Sequence, residues 1–211
     1  MSTLTPATVW SEMVAGNQRF IEGKPEHPRQ DVERRAQIAD KQAPKAALFG
    51  CSDSRLSAEI IFDLGLGDLF VVRNAGQVIS SSVLGSLEYA VETLKIPLIL
   101  VLAHDHCGAV DAAILKDRKP DTLFPPHVQE LVSDILPAVM RTRDAAGVEK
   151  GGDVDPVAVG LEHLRDTISG LLAQSELIGQ RIADGKLAIV GANYRLSEGR
   201  VISDVVVGDV P

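Results

Sequence analysis

Cysteine is scarce in this chain, with two residues in 211. A disulfide-stapled scaffold is therefore excluded. A long apolar stretch is missing too. The longest run, Ile96 to Ala103, is interrupted by Pro97 and falls far short of the roughly 20 residues a bilayer requires. Positive charge is in deficit, with a formal net charge of −8, which argues against nucleic acid or an anionic membrane as partner. There is no internal repeat and no low-complexity segment. The first residues carry Glu12 and Arg19 within an amphipathic pattern and lack a signal-peptide core. A cytoplasmic, reducing location is the expectation, and it suits cysteines kept as thiolates.

What the chain does contain is regular alternation of strand and helix signals, hence an α/β class. Thr5-Pro6 reads as a helix start, with a hydroxyl cap and proline at the first helical position. Val9, Trp10, Met13, Val14 and Phe20 follow near helical spacing up to Gly23. A second helix is expected from Asp31 to about Lys41, and strands at 45–50, 69–72 and 98–102. Short helices are expected at 58–64 and 108–116, and a longer one at 81–95 whose apolar residues share one face. Further helices are expected at 126–146, with Pro137 as a kink, and at 157–184. A strand at 186–191 and a hairpin about Ser197-Glu198-Gly199 complete the chain. The expected fold is a mainly parallel four-stranded sheet with an antiparallel edge strand, flanked by helices. One domain spans 1–211, with an N-terminal helical arm at 1–42 and an α/β core at 43–211.

Two segments hold both cysteines: Cys51-Ser52-Asp53-Ser54-Arg55 and His104-Asp105-His106-Cys107. Each follows an apolar run of strand formers, so each should lie at the carboxyl end of a buried parallel strand. Free core thiols are one reading of the cysteines. The spacing of His104 and Cys107 favours another, a metal site. Two thiolates and one imidazole make a three-ligand set for zinc with a fourth position open to water. The helix starting at Gly108 would place its positive end beside Cys107, and its first N–H could help bind an anion. Asp53 and Arg55, two apart in an extended segment, should leave on the same side. Arg55 could then grip the carboxylate with two hydrogen bonds, leaving Asp53 to orient the reacting water.

These two segments resemble the signature segments of the β-class carbonic anhydrases. Arg73-Asn74-Ala75-Gly76 and Leu87-Glu88-Tyr89-Ala90-Val91 fall between them in the family's order, and the resemblance runs from about Asn17 to the C-terminal strand. It implies reversible hydration of carbon dioxide to bicarbonate and a proton, with Cys51, His104 and Cys107 holding one zinc per subunit. It further implies that Phe70, Tyr89 and Ala75 line the substrate slot and that the Gln42 amide binds bicarbonate. Some of these would come from a neighbouring subunit, so the active form would be a homodimer or homotetramer. A closed state at lower pH, with Asp53 on the metal, is implied as well. Where some bacterial members carry a tryptophan tied to a second, inhibitory bicarbonate site, this chain has Leu48.

Two alternatives stand beside this reading. Some relatives hydrolyse carbonyl sulfide or carbon disulfide with the same ligands. A zinc-stabilised binding protein would have a closed fourth position and no use for the Asp53–Arg55 pair. His106 could carry protons, but an ordinary solvent-facing role is favoured. His27, His127 and His163 fall in loop or helix contexts without a partner pattern and are given no role.

Overall fold

A computed structural model describes residues 4–210. Five strands form one sheet: β1 (Ala46–Cys51), β2 (Leu69–Asn74), β3 (Leu98–His104), β4 (Ala188–Arg195) and β5 (Arg200–Val207). Their spatial order is β2-β1-β3-β4-β5, the first four parallel and β5 antiparallel on β4. That is the sheet expected from the sequence. The helices are α1 (Pro6–Ile21), α2 (Val32–Gln37), α3 (Ala58–Ile61), α4 (Ser81–Glu92), α5 (Gly108–Arg118), α6 (Pro126–Ala145), α7 (Pro156–Gln174) and α8 (Glu176–Ala183). None is long and apolar enough to cross a membrane.

Strand periodicity divides the core in two. Ala46, Leu48, Leu98, Leu100 and Leu102 face one layer with residues of α1, α3, α5 and α6. Ala47, Phe49, Ile99 and Val101 face the other, with residues of α4, α7 and α8. Both faces of β1, β3 and β4 are thus covered, whereas the edge strand β2 is partly exposed; this is why β1 and β3 read as continuous apolar runs. Truncating a fully buried residue such as Leu100 to alanine would cost about 2–5 kcal/mol.

Several expected boundaries move, each for a local reason. The second helix stops at Gln37, well short of Lys41. The third has only four residues, ending at Ile61 in a turn. There Asp63 takes φ 47°, and its carboxylate collects the N–H groups of Glu26 and His27 and the Arg19 guanidinium. The expected helix 157–184 is two helices. Ser175 closes the first and caps the second through the Ile178 N–H, while its hydroxyl donates to Glu88 at 2.6 Å. The fourth strand runs unbroken through the expected gap after Gly191, with a bulge at Gly191/Ala192. Helix α6 is a single helix with Pro137 inside it, as expected.

From β1 the chain crosses to β2 on one side, and from β3 to β4 on the other. The carboxyl ends of β1 and β3 are therefore adjacent strand ends from which the chain departs in opposite directions. Such a switch point is where open α/β sheets place their sites.

Candidate metal centre

Cys51 is the last residue of β1 and His104 the last of β3, while Cys107 caps α5. Their ligand atoms lie within 4.8 Å of one another, and all three residues are buried. This is the one such group among the described residues. The His104 ring is pre-set: its Nδ1 lies 2.8 Å from the Asp105 carbonyl, which can only accept, so Nδ1 carries the proton. Nε2 is buried without a hydrogen-bond partner. A bare imidazole nitrogen facing two sulfurs is the donor set zinc takes.

The sulfurs are electrostatically coupled. The Cys51 thiol is lowered to about 4, first by its hydrogen bond with Cys107 and then, against burial, by His104 and the N–H groups of Gly76 and Asp53. The Cys107 thiol is pushed up by the same pairing and by burial, while the N–H groups of Val110 and Ala109 at the start of α5 pull the other way. Burial works to lower His104, but the Cys51 sulfur, the Asp105 carbonyl and the Asp53 charge together outweigh it and raise the imidazole. Two adjacent buried thiolates repel, so one retains its proton until a cation takes the proton's place.

Asp53 and Arg55 do pair, though not from an extended segment. Residues 53–56 form a tight turn, closed by the Leu56 N–H on the Asp53 carbonyl at 3.0 Å, in which Asp53 Oδ1 also accepts the Arg55 N–H at 3.0 Å. Arg55 Nε reaches Oδ1 at 2.8 Å and Nη2 reaches Oδ2 at 2.7 Å. The Arg55 side chain holds the Asp53 carboxyl far below the usual range, against burial. Arg55 Nη2 also donates to the His106 carbonyl at 3.1 Å, joining the two signature loops.

Three residues without a sequence-derived role complete the surroundings. Arg73 donates to the carbonyls of Cys51 and Asp53 at 2.9 and 2.6 Å. Gly76 donates its N–H to Cys51 Sγ at 3.4 Å. Asp105 accepts the Leu196 N–H at 2.9 Å, anchoring the His104 loop to the end of β4. The signal for the first two was their place at and just after the carboxyl end of a strand. Nothing in the sequence marked Asp105.

The proposed substrate residues divide. Exposed Ala75 adjoins Gly76, and Gly108 opens α5 with free space where a side chain would begin. Phe70 and Tyr89 lie together, ring centroids 6.1 Å apart, but at the wrong end of the sheet for the metal ligands of their own chain. Phe70 pairs with Ala47, whereas Cys51 pairs with Asn74, a separation of about 13 Å along the strand. Gln42 is exposed and precedes β1, at the opposite end of that strand from Cys51, with the strand itself spanning about 17 Å.

Comparison with known proteins agrees with the site. The family model described as "Carbonic anhydrase" matches residues 46–201. The chain is 45% identical over 210 residues to carbonic anhydrase 2 of Mycobacterium tuberculosis, covering 100% of this chain and 98% of that protein. It is 43% identical over 212 residues to a carbonic anhydrase of Mycolicibacterium smegmatis, again covering 100% of this chain and 98% of the relative. Among solved structures, the β-carbonic anhydrase CcaA superposes with a TM-score of 0.71 at 27% identity, covering 93% of this chain and 88% of that one. The paired thiols, the pre-set imidazole and the whole-length similarity lead to one conclusion: the chain belongs to the β-class carbonic anhydrases.

Proposed function

We propose that the chain catalyses reversible hydration of carbon dioxide to bicarbonate and a proton, using zinc held by Cys51, His104 and Cys107. The observation that carries this assignment is the buried, unpartnered Nε2 of His104 facing the two sulfurs. When bound, zinc supplies a Lewis acid that makes water acidic enough to give hydroxide near neutral pH.

The protein's own residues do the rest. Asp53 stays ionised and accepts a hydrogen bond from the reacting water, fixing its direction of attack. Arg55 occupies both carboxylate oxygens from one side and sets the orientation of Asp53. Freed from Arg55, the Asp53 carboxylate would be an oxygen donor able to compete for the bound metal and close the site. The Gly108 N–H at the positive end of α5 favours the bicarbonate anion, and Ala75 leaves an apolar surface for carbon dioxide.

Gln42, Phe70 and Tyr89 serve the metal site of a neighbouring subunit, since they lie remote from their own. The active form is accordingly a homo-oligomer. A cytoplasmic location fits the two unpaired cysteines. Stopped-flow carbon dioxide hydration, with and without zinc chelation, tests the function. Activity lost on chelation and regained with zinc is the expected result, and no hydration by zinc-loaded protein would overturn it. Parallel assay with carbonyl sulfide and carbon disulfide measures the alternative activity.

A further inference from the structure

Gly76 sits at the centre of a strained turn behind the metal ligands. It has φ 79° and ψ 13°, and Gln77 after it has φ 42°. A non-glycine residue in this region costs about 1–3 kcal/mol and persists only where its surroundings over-determine it. The surroundings here do so. A Cβ on Gly76 would lie 2.8 Å from Ala109 Cβ and 3.0 Å from Ile135 Cδ1, so the position admits only hydrogen. The Asn74 side chain brackets the turn, donating to the Val78 carbonyl at 2.7 Å and accepting the Val78 N–H at 3.0 Å.

The remaining hold comes from α7. His163 Nε2 lies 2.7 Å from the Gly76 carbonyl, and His163 is 3% exposed. A carbonyl only accepts, so Nε2 carries the proton. Thr167, one helical turn on, contacts the Gln77 carbonyl at a longer 3.4 Å, with its hydroxyl already donated to the His163 carbonyl at 2.9 Å. His163 is thus the strong grip on this turn. Burial holds its imidazole below the usual range and outweighs the Gly76 carbonyl and the charges of Asp166 and Asp134.

We propose that His163 is a positioning residue for the Cys51 ligand: by fixing the Gly76 carbonyl it aims the Gly76 N–H at Cys51 Sγ. An N–H directed at a thiolate stabilises its charge and orients its lone pairs, the kind of outer-shell support on which metal sites depend. His163 touches neither substrate nor metal ligand and acts through one glycine. The inference rests on the zinc assignment above.

The experiment is chelator competition for zinc on the full-length protein, with His163→Leu, His163→Gln and His163→Asn. The glutamine amide reaches the place of Nε2, whereas the asparagine amide reaches only that of Nδ1. Both fit, because His163 borders a cavity of about 200 Å³ shared with Asp134 and Asp166. His163→Leu and His163→Asn should weaken zinc binding by about 10–100-fold, and His163→Gln should stay close to wild type. In the cadmium-substituted protein, scalar coupling between the metal nucleus and the Gly76 amide proton should persist in wild type and His163→Gln and vanish in the other two. General loss of packing would not sort the variants in this way. Should His163→Leu fail to fold, the Gln and Asn variants decide between them. Equal zinc affinity with retained coupling in those two would overturn the proposal. Failure of wild-type protein to bind one zinc would instead overturn the metal assignment.

Discussion

Arg55 lies over Asp53 with two parallel hydrogen bonds, at 2.8 and 2.7 Å, and spends its remaining reach on the carbonyl of His106. One guanidinium therefore fixes the carboxylate beside the first cysteine and ties down the loop that carries the second. A surface ion pair on its own is worth little. This one matters for geometry, since both signature loops depend on the same planar group.

Replacing Arg55 with lysine keeps the charge but removes the fork. Hydration should fall by about 10–100-fold, the usual cost of losing an outer-shell partner, while zinc content stays at one per chain. Metal analysis alongside stopped-flow rates separates the two effects. Wild-type rates in Arg55→Lys would reduce Arg55 to a surface charge.

Cys107→Ser should bind zinc more than about a hundredfold more weakly, beyond what an outer-shell change costs. A related effect tests the coupled thiols. Since Cys107 is raised and Cys51 lowered, zinc loading near neutral pH should release about one to two protons. Calorimetry in buffers of different ionisation heat measures this. Identical heats in all buffers would mean that both sulfurs were already bare.

Much of this was legible in the sequence. The β1 and β3 runs are buried on both faces, so their apolar continuity identified them as parallel strands, and the ligands at their ends followed. The Asp53–Arg55 pairing was legible as a pair, but not as a turn, because the carboxylate's bond to the Arg55 N–H depends on local dihedrals. The break at Ser175 was hidden because serine is tolerated inside helices, and its partner Glu88 lies 87 residues away in sequence. His163 had no visible partner because that partner is a backbone carbonyl, which leaves no residue-type signal.

Acid stability should depend on Asp63. Burial alone would raise its pKa, but the Glu26 N–H, the Arg19 side chain and the His27 N–H together lower it. A depressed carboxylate contributes stability that is present above the ordinary aspartate pKa of about 3.9 and lost as pH falls through its folded value. Asp63→Asn should therefore cost about 1.5–3 kcal/mol at neutral pH, and the gap to wild type should narrow in strong acid. Urea unfolding at one fixed protein concentration reads both. A gap constant with pH would remove the charge from the explanation.

The separation of Phe70, Tyr89 and Gln42 from Cys51 makes subunit complementation a direct test. Gln42→Ala and Cys51→Ser proteins should each be strongly impaired. Unfolded and refolded together in equal amounts, they should form mixed dimers in which one site has intact ligands and an intact neighbouring glutamine. About one quarter of wild-type activity should return. No recovery in demonstrably mixed oligomers would place Gln42 outside the neighbouring site.

The pH dependence of hydration follows from charge. Two thiolates cancel the formal charge of zinc, whereas three imidazoles leave it intact, so water at this site should be less acidic than the value of about 7 found with three histidines. Activity should accordingly rise with pH through the neutral to alkaline range. Asp53 cannot supply that rise by titrating, because Arg55 keeps its carboxyl far below the usual range and it is ionised throughout. It can contribute only by moving, leaving Arg55 and competing with hydroxide for the metal. Hydroxide gains as pH rises, so closure by Asp53 belongs to the acid side. Weakening the Arg55 grip frees Asp53 to compete better, and Arg55→Lys should shift the activity midpoint to higher pH as well as lower its ceiling. An unshifted midpoint, together with X-ray absorption spectra showing no added carboxylate ligand in acid, would leave water acidity as the sole cause and remove the closing role of Asp53.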